Sequence, residues 1–138
     1  MTGLKQIIQP DEIPSPSVYP YSQAVMVQTN RLLFIAGQPA MDADSRTVGV
    51  GDIAAQTRQV YRNISSVLKS VGADFSNVVE LTTFIVGREN LKAHREALFE
   101  IYNDLLPSQD YPPDSVVLVA GLYREDFLIE VKAIAALP

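Results

Sequence analysis

Two stretches with helical periodicity interrupt a series of short β-branched stretches along this chain. Apolar residues recur every three or four positions in residues 52–71, and Gly72 follows where a C-terminal cap belongs. The second helical stretch covers residues 90–106 and ends before Pro107. Strands that alternate with helices in so short a chain predict one α+β domain, residues 1–138, with both helices on one face of a mixed sheet.

The strands are predicted from runs of β-branched and aromatic residues that turn residues bound. Residues 24–28 and 31–37 flank Thr29–Asn30, a polar pair that predicts a β-hairpin. An adjacent antiparallel pair is predicted from residues 115–121 and 127–137. The other strands are predicted at residues 4–9 and 76–87, and the proline-rich stretch 11–23 is predicted to be a loop.

The sheet face opposite the helices has no cover within this chain. Its alternate residues are substantially apolar, and large exposed apolar patches are uncommon on monomers. The pattern therefore predicts an oligomer without fixing its symmetry. The apolar residues expected on this face are Val25 and Val27, Leu33 and Ile35, and Val117 and Val119.

Composition excludes several classes of protein and of site. An apolar fraction of 47% with 20% charged residues is typical of a globular chain and argues against disorder, collagen-like structure and a coiled coil. The absence of cysteine excludes disulfides, thiolate nucleophiles and cysteine-ligated metals, and it fits a reducing cytoplasm. His94 is the one histidine, too few for the usual metal site, and is expected to be a half-buried or surface helix residue rather than a catalyst.

Charge and hydropathy bear on partners and on location. The net charge is −5, with 11 basic residues scattered among 16 acidic ones, and this balance argues against a nucleic-acid partner. No apolar run approaches the length of about 18 residues that a membrane span requires. The N-terminal residues show no secretory signal. We therefore expect a cytoplasmic protein without a membrane partner.

Two carboxylates stand out because of their surroundings. Glu130 lies in an apolar strand, where a carboxylate is costly to bury unless it is paired or hydrogen-bonded. Asp114 follows Pro112–Pro113 at the start of the preceding strand. If those two strands pair, both carboxylates approach the same end of the sheet and one of them gains a raised pKa suited to acid–base chemistry. In the alternative interpretation Asp114 only ends a loop and Glu130 pairs with an arginine or lysine.

Six segments together resemble the RidA/YjgF family, also labelled endoribonuclease L-PSP, over nearly the whole chain. No single segment is decisive, and their order and spacing carry the resemblance. The segments are PYSQA at 20–24, IAGQ at 35–38, AAQTRQVYRNISSVL at 54–68, VVELTTFIV at 78–86, PPDSVVLVAGL at 112–122 and IEVKAIA at 129–135.

The resemblance implies a fold, an assembly and an activity. Family members are similar to chorismate mutase in fold, and three chains pack their sheets into a barrel-like core. Ligand clefts lie between adjacent subunits of this homotrimer. Many members hydrolyse reactive enamines and imines, such as 2-aminoacrylate, to 2-keto acids and ammonia, and they need no metal or organic cofactor.

Site residues follow from the resemblance position by position. Tyr21 matches a tyrosine that closes the cleft, and Gly37 and Gln38 match residues that line it. Glu130 matches the glutamate that orients water, so the resemblance implies that Glu130 and Tyr21 are the catalytic residues.

The chain departs from the family pattern beside the substrate. Asp114 occupies the position of the arginine that binds the substrate carboxylate, while the following Ser115 is kept. The family's serine and cysteine positions hold Ala36 and Val116. A bidentate arginine contact contributes roughly 2–5 kcal/mol, so its loss predicts weak 2-aminoacrylate deamination. A neutral or cationic ligand fits better, with Asp114 as its anchor, and Arg124 in the LYRED loop is a candidate for a displaced positive charge.

Three hypotheses of function remain open on the sequence. The first is an imine or enamine hydrolase whose substrate choice Asp114 has altered. The second is a non-catalytic trimer that binds a small molecule between subunits. The third is a ribonuclease, against which the acidic charge and the lone His94 argue.

Overall fold

Two α-helices lie on one face of a four-stranded mixed sheet in the computed structural model, which describes residues 5–16 and 18–138. The helices are α1 (Ile53–Ser70) and α2 (Leu91–Leu105), and both confirm the helical stretches predicted from the sequence. The Asp52 carboxylate accepts a hydrogen bond from the Ala55 amide at 3.0 Å and so caps α1. Gly72 has a φ of +74°, the left-handed conformation of a helix end.

The described residues form six strands, in the chain order expected from the sequence. The main sheet has the order β3-β6-β4-β5, in which only β4 and β5 are parallel. A separate two-stranded sheet pairs β1 with β2 antiparallel. Leu4, predicted to begin β1, and Ser17, in the predicted proline-rich loop, lie outside the described residues. The strands are β1 (Lys5–Ile8), β2 (Ala24–Val27), β3 (Arg31–Pro39), β4 (Val78–Val86), β5 (Asp114–Val119) and β6 (Ile129–Leu137).

The hairpin predicted around Thr29–Asn30 is wrong, because β2 pairs with β1 and β3 pairs with β6. A tight two-residue hairpin needs positive φ angles at its centre. In the described part of the chain, positive φ outside glycine occurs at Ser45 and Gln109, not at these two residues. The Thr29 hydroxyl instead donates to the backbone carbonyl of Leu137, which ties the turn to the end of β6.

The predicted pairing of the last two strands is also wrong, since β4 lies between β5 and β6. All four residues from Ser115 to Leu118 are exposed in β5, whereas alternate residues of β4 and β6 are fully buried. A strand with few buried residues belongs at the edge of a sheet. β4, which pairs with a strand on each side, belongs in the interior of the sheet.

An uncovered apolar surface lies on the sheet face away from the helices, as expected. Its exposed members include Leu32, Phe34 and Val117, and Phe34 is 71% exposed. The predicted residues of β3 are wrong by one position, because Leu33 and Ile35 pack toward the helices. A period of two identifies two sets of residues in a strand, but packing decides which set the helices cover.

The prediction is wrong for Val25 and Val27, because β2 belongs to the separate two-stranded sheet. Val119 is partly buried, so it contributes less to the uncovered surface than predicted. Met26, between the two valines, is 58% exposed. Neither α1 nor α2, the α-helices of the described residues, is long and apolar enough to cross a membrane.

Candidate active site

A cleft of about 760 Å³ opens between α2, the edge strand β5 and the loop at residues 19–21. Its apolar wall includes Leu91, Leu98 and the exposed side of β5. Six polar or charged residues line the rest, so the cleft combines an apolar surface with convergent polar groups, as small-molecule sites do. These residues are Tyr19, Tyr21, Arg88, His94, Arg95 and Asp114.

Hydrogen bonds hold the loop that carries Tyr21 against the start of β5. The Ser22 hydroxyl donates to the carbonyl of Tyr111, and the Ser22 amide donates to the carbonyl of Pro112 at 3.4 Å. Tyr111 and Pro112 directly precede the strand that begins with Asp114. Tyr21 and Asp114, both predicted as site residues, therefore line one cleft.

Asp114 is held on the helix side of the sheet. The Thr83 hydroxyl donates to its Oδ1 at 2.9 Å and lies 3.3 Å from Oδ2. Burial raises the pKa of Asp114 from 3.8 to about 6, while the Thr83 hydrogen bond acts in the opposite direction. Asp114 is thus a carboxyl group that exchanges its proton close to neutral pH.

Glu130 and Gly37 form a second group, on the uncovered face of the sheet, whereas Gln38 pairs in register with the buried Val131 and so lies on the other face. Glu130 pairs in register with Pro39 of β3 and Phe84 of β4. Phe84 points away from the buried side of β4, which carries Leu81, Thr83 and Ile85. The Glu130 side chain lies directly over Gly37, where an added Cβ would clash with Glu130 Oε2.

The two carboxylates therefore lie on opposite faces of the sheet, and the predicted Asp114–Glu130 pair within one chain is wrong. Asp114 aligns with Leu81 on β4, whereas Glu130 aligns with Phe84, three positions further along the strand. Because strand side chains alternate between faces, this offset puts the two groups on different sides. The sequence could not show it, since the prediction assumed that β5 and β6 are neighbours.

Gly37→Ala should move the Glu130 carboxylate without unfolding the protein, because the clash falls on the flexible end of that side chain. We expect any activity that depends on Glu130 to fall about tenfold or more, since a displacement of about 1 Å at a catalytic group has large effects. Circular dichroism and turnover should be measured together, with Gly121→Ala, an open position, as the matched control. Unchanged turnover in Gly37→Ala would argue against a catalytic Glu130.

Ser115 and Arg124 do not line the cleft. Ser115 is exposed and pairs in register with Thr82, on the face opposite Asp114. Arg124 donates to the Ser45 carbonyl at 2.7 Å and lies 5.2 Å from the centre of the Phe127 ring. Arg124 is therefore engaged elsewhere, and the expectation that it supplies a positive charge beside Asp114 is wrong within this chain.

His94 is more deeply buried than expected, with 3% of its surface exposed. Its Nδ1 lies 3.1 Å from the Thr57 hydroxyl, and its Nε2 has no hydrogen-bond partner among the described residues. Burial lowers the pKa of His94 to about 4, so the ring is neutral at physiological pH. His94 forms part of the cleft wall as an uncharged group.

Arg88 and Arg95 are the cleft residues that the sequence analysis missed. Arg88 precedes α2 and Arg95 lies on it. Arginine on the polar face of a helix is normally solvated, so the residue type alone did not indicate a site. The available indication was spacing, since Arg88, Leu91 and Arg95 recur at intervals of three and four and so share one helical face. Among the described residues, no group of three or more histidine, aspartate or glutamate side chains is placed to hold a metal ion.

Comparison with known proteins identifies the family. The profile of the family described as endoribonuclease L-PSP matches residues 12–137. A RutC family protein from Synechocystis is 36% identical over 134 residues, which cover 96% of this chain and 97% of the relative. A human protein named 2-iminobutanoate/2-iminopropanoate deaminase is 31% identical over 132 residues, covering 96% of this chain and 90% of the human one.

A solved structure agrees with these relatives. The crystal structure of a protein of unknown function of the conserved Rid family from Yersinia pestis superposes with a TM-score of 0.86 at 33% identity. The match covers 96% of this chain and 98% of the Yersinia chain. Sequence and structure lead to the same assignment: the chain belongs to the endoribonuclease L-PSP family, the family of the Rid and RutC proteins.

Proposed function

We propose that this protein hydrolyses a small imine or enamine in a cleft that forms between two copies of the chain, with Asp114 altering the choice of substrate. The observation that carries the proposal is the Asp114 carboxyl group, half-buried in a 760 Å³ cleft beside Tyr21 with a pKa of about 6. A relative of similar length is named 2-iminobutanoate/2-iminopropanoate deaminase, which supports this class of reaction.

The proposed assembly is a homotrimer that covers the uncovered face of each sheet. Leu32, Phe34 and Val117 provide the apolar contact on that face. Glu130 and Gly37 lie on the same face, so association brings this group toward a neighbouring chain. We place the Glu130 of one chain beside the Asp114 cleft of the next. The two carboxylates, which lie on opposite faces of the sheet within one chain, then face a common site.

The proposed reaction adds water across a carbon–nitrogen double bond. Glu130 accepts a proton from water as the water oxygen bonds to the imine carbon, and a carbinolamine forms. Asp114, in its protonated form, hydrogen-bonds to the nitrogen and supplies a proton to it. The ionised Asp114 then takes the proton of the carbinolamine hydroxyl while Glu130 gives its proton to the nitrogen, the carbon–nitrogen bond breaks, and ammonia leaves a ketone behind. Both carboxyl groups return to their starting states, and no oxidant or reductant is needed.

Keto-acid release from imines generated in solution tests the proposal. An amino acid oxidase acting on amino acids with neutral, acidic and basic side chains supplies a panel of imines, and a dehydratase supplies 2-aminoacrylate. We expect acceleration for at least one imine, loss of it in Glu130→Gln, and little effect on 2-aminoacrylate until Asp114→Arg is introduced. Strong native activity on 2-aminoacrylate would contradict the role given to Asp114.

A non-catalytic binding protein is the second candidate, favoured by the separation of Glu130 from the cleft within one chain. It predicts that a ligand raises the melting temperature without any turnover. The absence of acceleration across the whole panel would support this candidate over hydrolysis. Cleavage of RNA that persists through purification and disappears in Asp114→Asn would instead support a ribonuclease.

A further inference from the structure

The cleft carries charges of both signs that do not neutralise each other. Arg88 and Arg95 line it together with Asp114. None of the ion pairs among the described residues includes Arg88 or Arg95. Burial raises the pKa of Asp114, and the hydrogen bond from Thr83 is the one interaction that lowers it. No arginine therefore lies near enough to lower this pKa. The positive and negative groups therefore stand apart across a common space.

Arg95 is held ready for a ligand rather than for a protein carboxylate. Its guanidinium lies 5.2 Å from the centre of the Tyr19 ring, a cation–π contact that orients the group and leaves its donors free. Tyr19 belongs to the same loop as Tyr21, which also lines the cleft. A guanidinium group without an acidic partner is suited to binding a carboxylate through two parallel hydrogen bonds.

The start of α2 adds to the positive side. Its N-cap residue, Asn90, makes no side-chain cap and instead donates to the Val86 carbonyl at 2.8 Å. No side chain therefore caps the first turn, although the Leu91 amide donates to the Arg88 carbonyl, and this turn is the positive end of the helix dipole. Leu91, the first residue of α2, lines the cleft between Arg88 and Arg95.

We propose that Arg95, assisted by Arg88 and the start of α2, binds the carboxylate of the substrate, while the imine nitrogen lies at Asp114. This inference rests on the proposed function and adds the orientation and class of the substrate, an imino acid that is neutral overall. The carboxylate then lies on the α2 side of the cleft and the nitrogen on the β5 side. Because the carboxylate is bound at Arg95 rather than at position 114, the cleft holds an imino acid in a different orientation, which accounts for the altered choice of substrate.

Calorimetric titration with three stable probes tests the orientation without requiring turnover. The zwitterion 2-aminobutanoate carries both groups, 2-oxobutanoate carries only the carboxylate, and propylamine carries only the amine. We expect Arg95→Gln to weaken both carboxylate-bearing probes about 10- to 100-fold and to leave propylamine nearly unchanged. Asp114→Asn should weaken the two amine-bearing probes and spare 2-oxobutanoate. Arg88→Gln should act like Arg95→Gln to a smaller extent, and Arg95→Lys should restore part of the affinity.

The matched control is Arg62→Gln, an arginine on the exposed side of α1 that does not line the cleft. It should leave all three affinities unchanged. The inference is overturned if Arg95→Gln binds 2-oxobutanoate as the wild type does, or if neither carboxylate-bearing probe binds the wild type at about 10 mM, the range of very weak affinity. Turnover of imines that ignores both arginine variants would refute this inference and leave the proposed function standing. The expected binding pattern without any turnover would refute hydrolysis and leave the orientation standing.

Discussion

Phe34→Glu should convert the proposed trimer into a folded monomer and abolish turnover in the cleft. Phe34 is 71% exposed, on the face that we propose other copies cover. Burial of one phenylalanine contributes about 2–3 kcal/mol, and a glutamate at the same place must also lose its hydration on association. We expect association to weaken at least about 100-fold.

Light scattering after size-exclusion chromatography measures the change in mass, and circular dichroism shows that each chain remains folded. Val50→Glu is the matched control, because Val50 is 67% exposed but lies in the loop before α1 rather than on the uncovered face. It should remain a trimer, and so should Phe34→Leu. A wild-type protein that runs as a single chain at working concentration would contradict the proposed assembly.

Asp114→Asn and His94→Leu should change the pH dependence of stability in opposite directions. The raised pKa of Asp114, about 6 against 3.8, means that its contribution is fully present below pH 3.8 and lost as pH rises through 6. The lowered pKa of His94, about 4 against 6.5, means that its contribution is present above pH 6.5 and lost as pH falls through 4. In the wild type these two effects oppose each other across the same range of pH.

Each substitution removes one of the two opposing effects. Relative to the wild type, the unfolding free energy of Asp114→Asn should increase from pH 4 to pH 7 by about 1–3 kcal/mol. The unfolding free energy of His94→Leu, relative to the wild type, should decrease by a similar amount from pH 4 to pH 7. The variant is therefore more stable relative to the wild type at pH 4 than at pH 7. Asparagine keeps an oxygen that accepts the Thr83 hydroxyl, so the first substitution mainly removes the charge.

Urea unfolding at pH 4, 5, 6 and 7 measures both variants against the wild type. Asp126→Asn is a control carboxylate outside the cleft, bonded to the Thr47 hydroxyl. Because it lies outside the cleft, it should reproduce neither the Asp114→Asn change nor the His94→Leu change. Two variants whose profiles shift in the same direction would contradict the opposite burial effects assigned to Asp114 and His94.

Local periodicity was enough to identify the helices, because it depends on residues close together in the chain. The apolar stripe of residues 52–71 and the Gly72 cap predicted α1 to within one residue at each end. Pro107 likewise marked the end of α2. The uncovered apolar face was also predicted, since two helices of this length cover only one side of a sheet.

Local periodicity could not predict which strands pair. The turn at Thr29–Asn30 has the composition of a hairpin, yet the Thr29 hydroxyl bonds to Leu137, more than a hundred residues away. The choice of β4 as the neighbour of both β5 and β6 depends on how many residues each strand buries. That quantity is set by packing in three dimensions rather than by the order of the strands.

The amino-acid sequence by itself determined the two helices and the family. Only the tertiary structure decided that Asp114 and Glu130 lie on opposite faces, and that Arg88 and Arg95 share the cleft with Asp114. The physical reason is that a shift of one residue in strand register moves a side chain to the other face of a sheet. Local sequence does not set that register, because contacts between residues distant in the chain do.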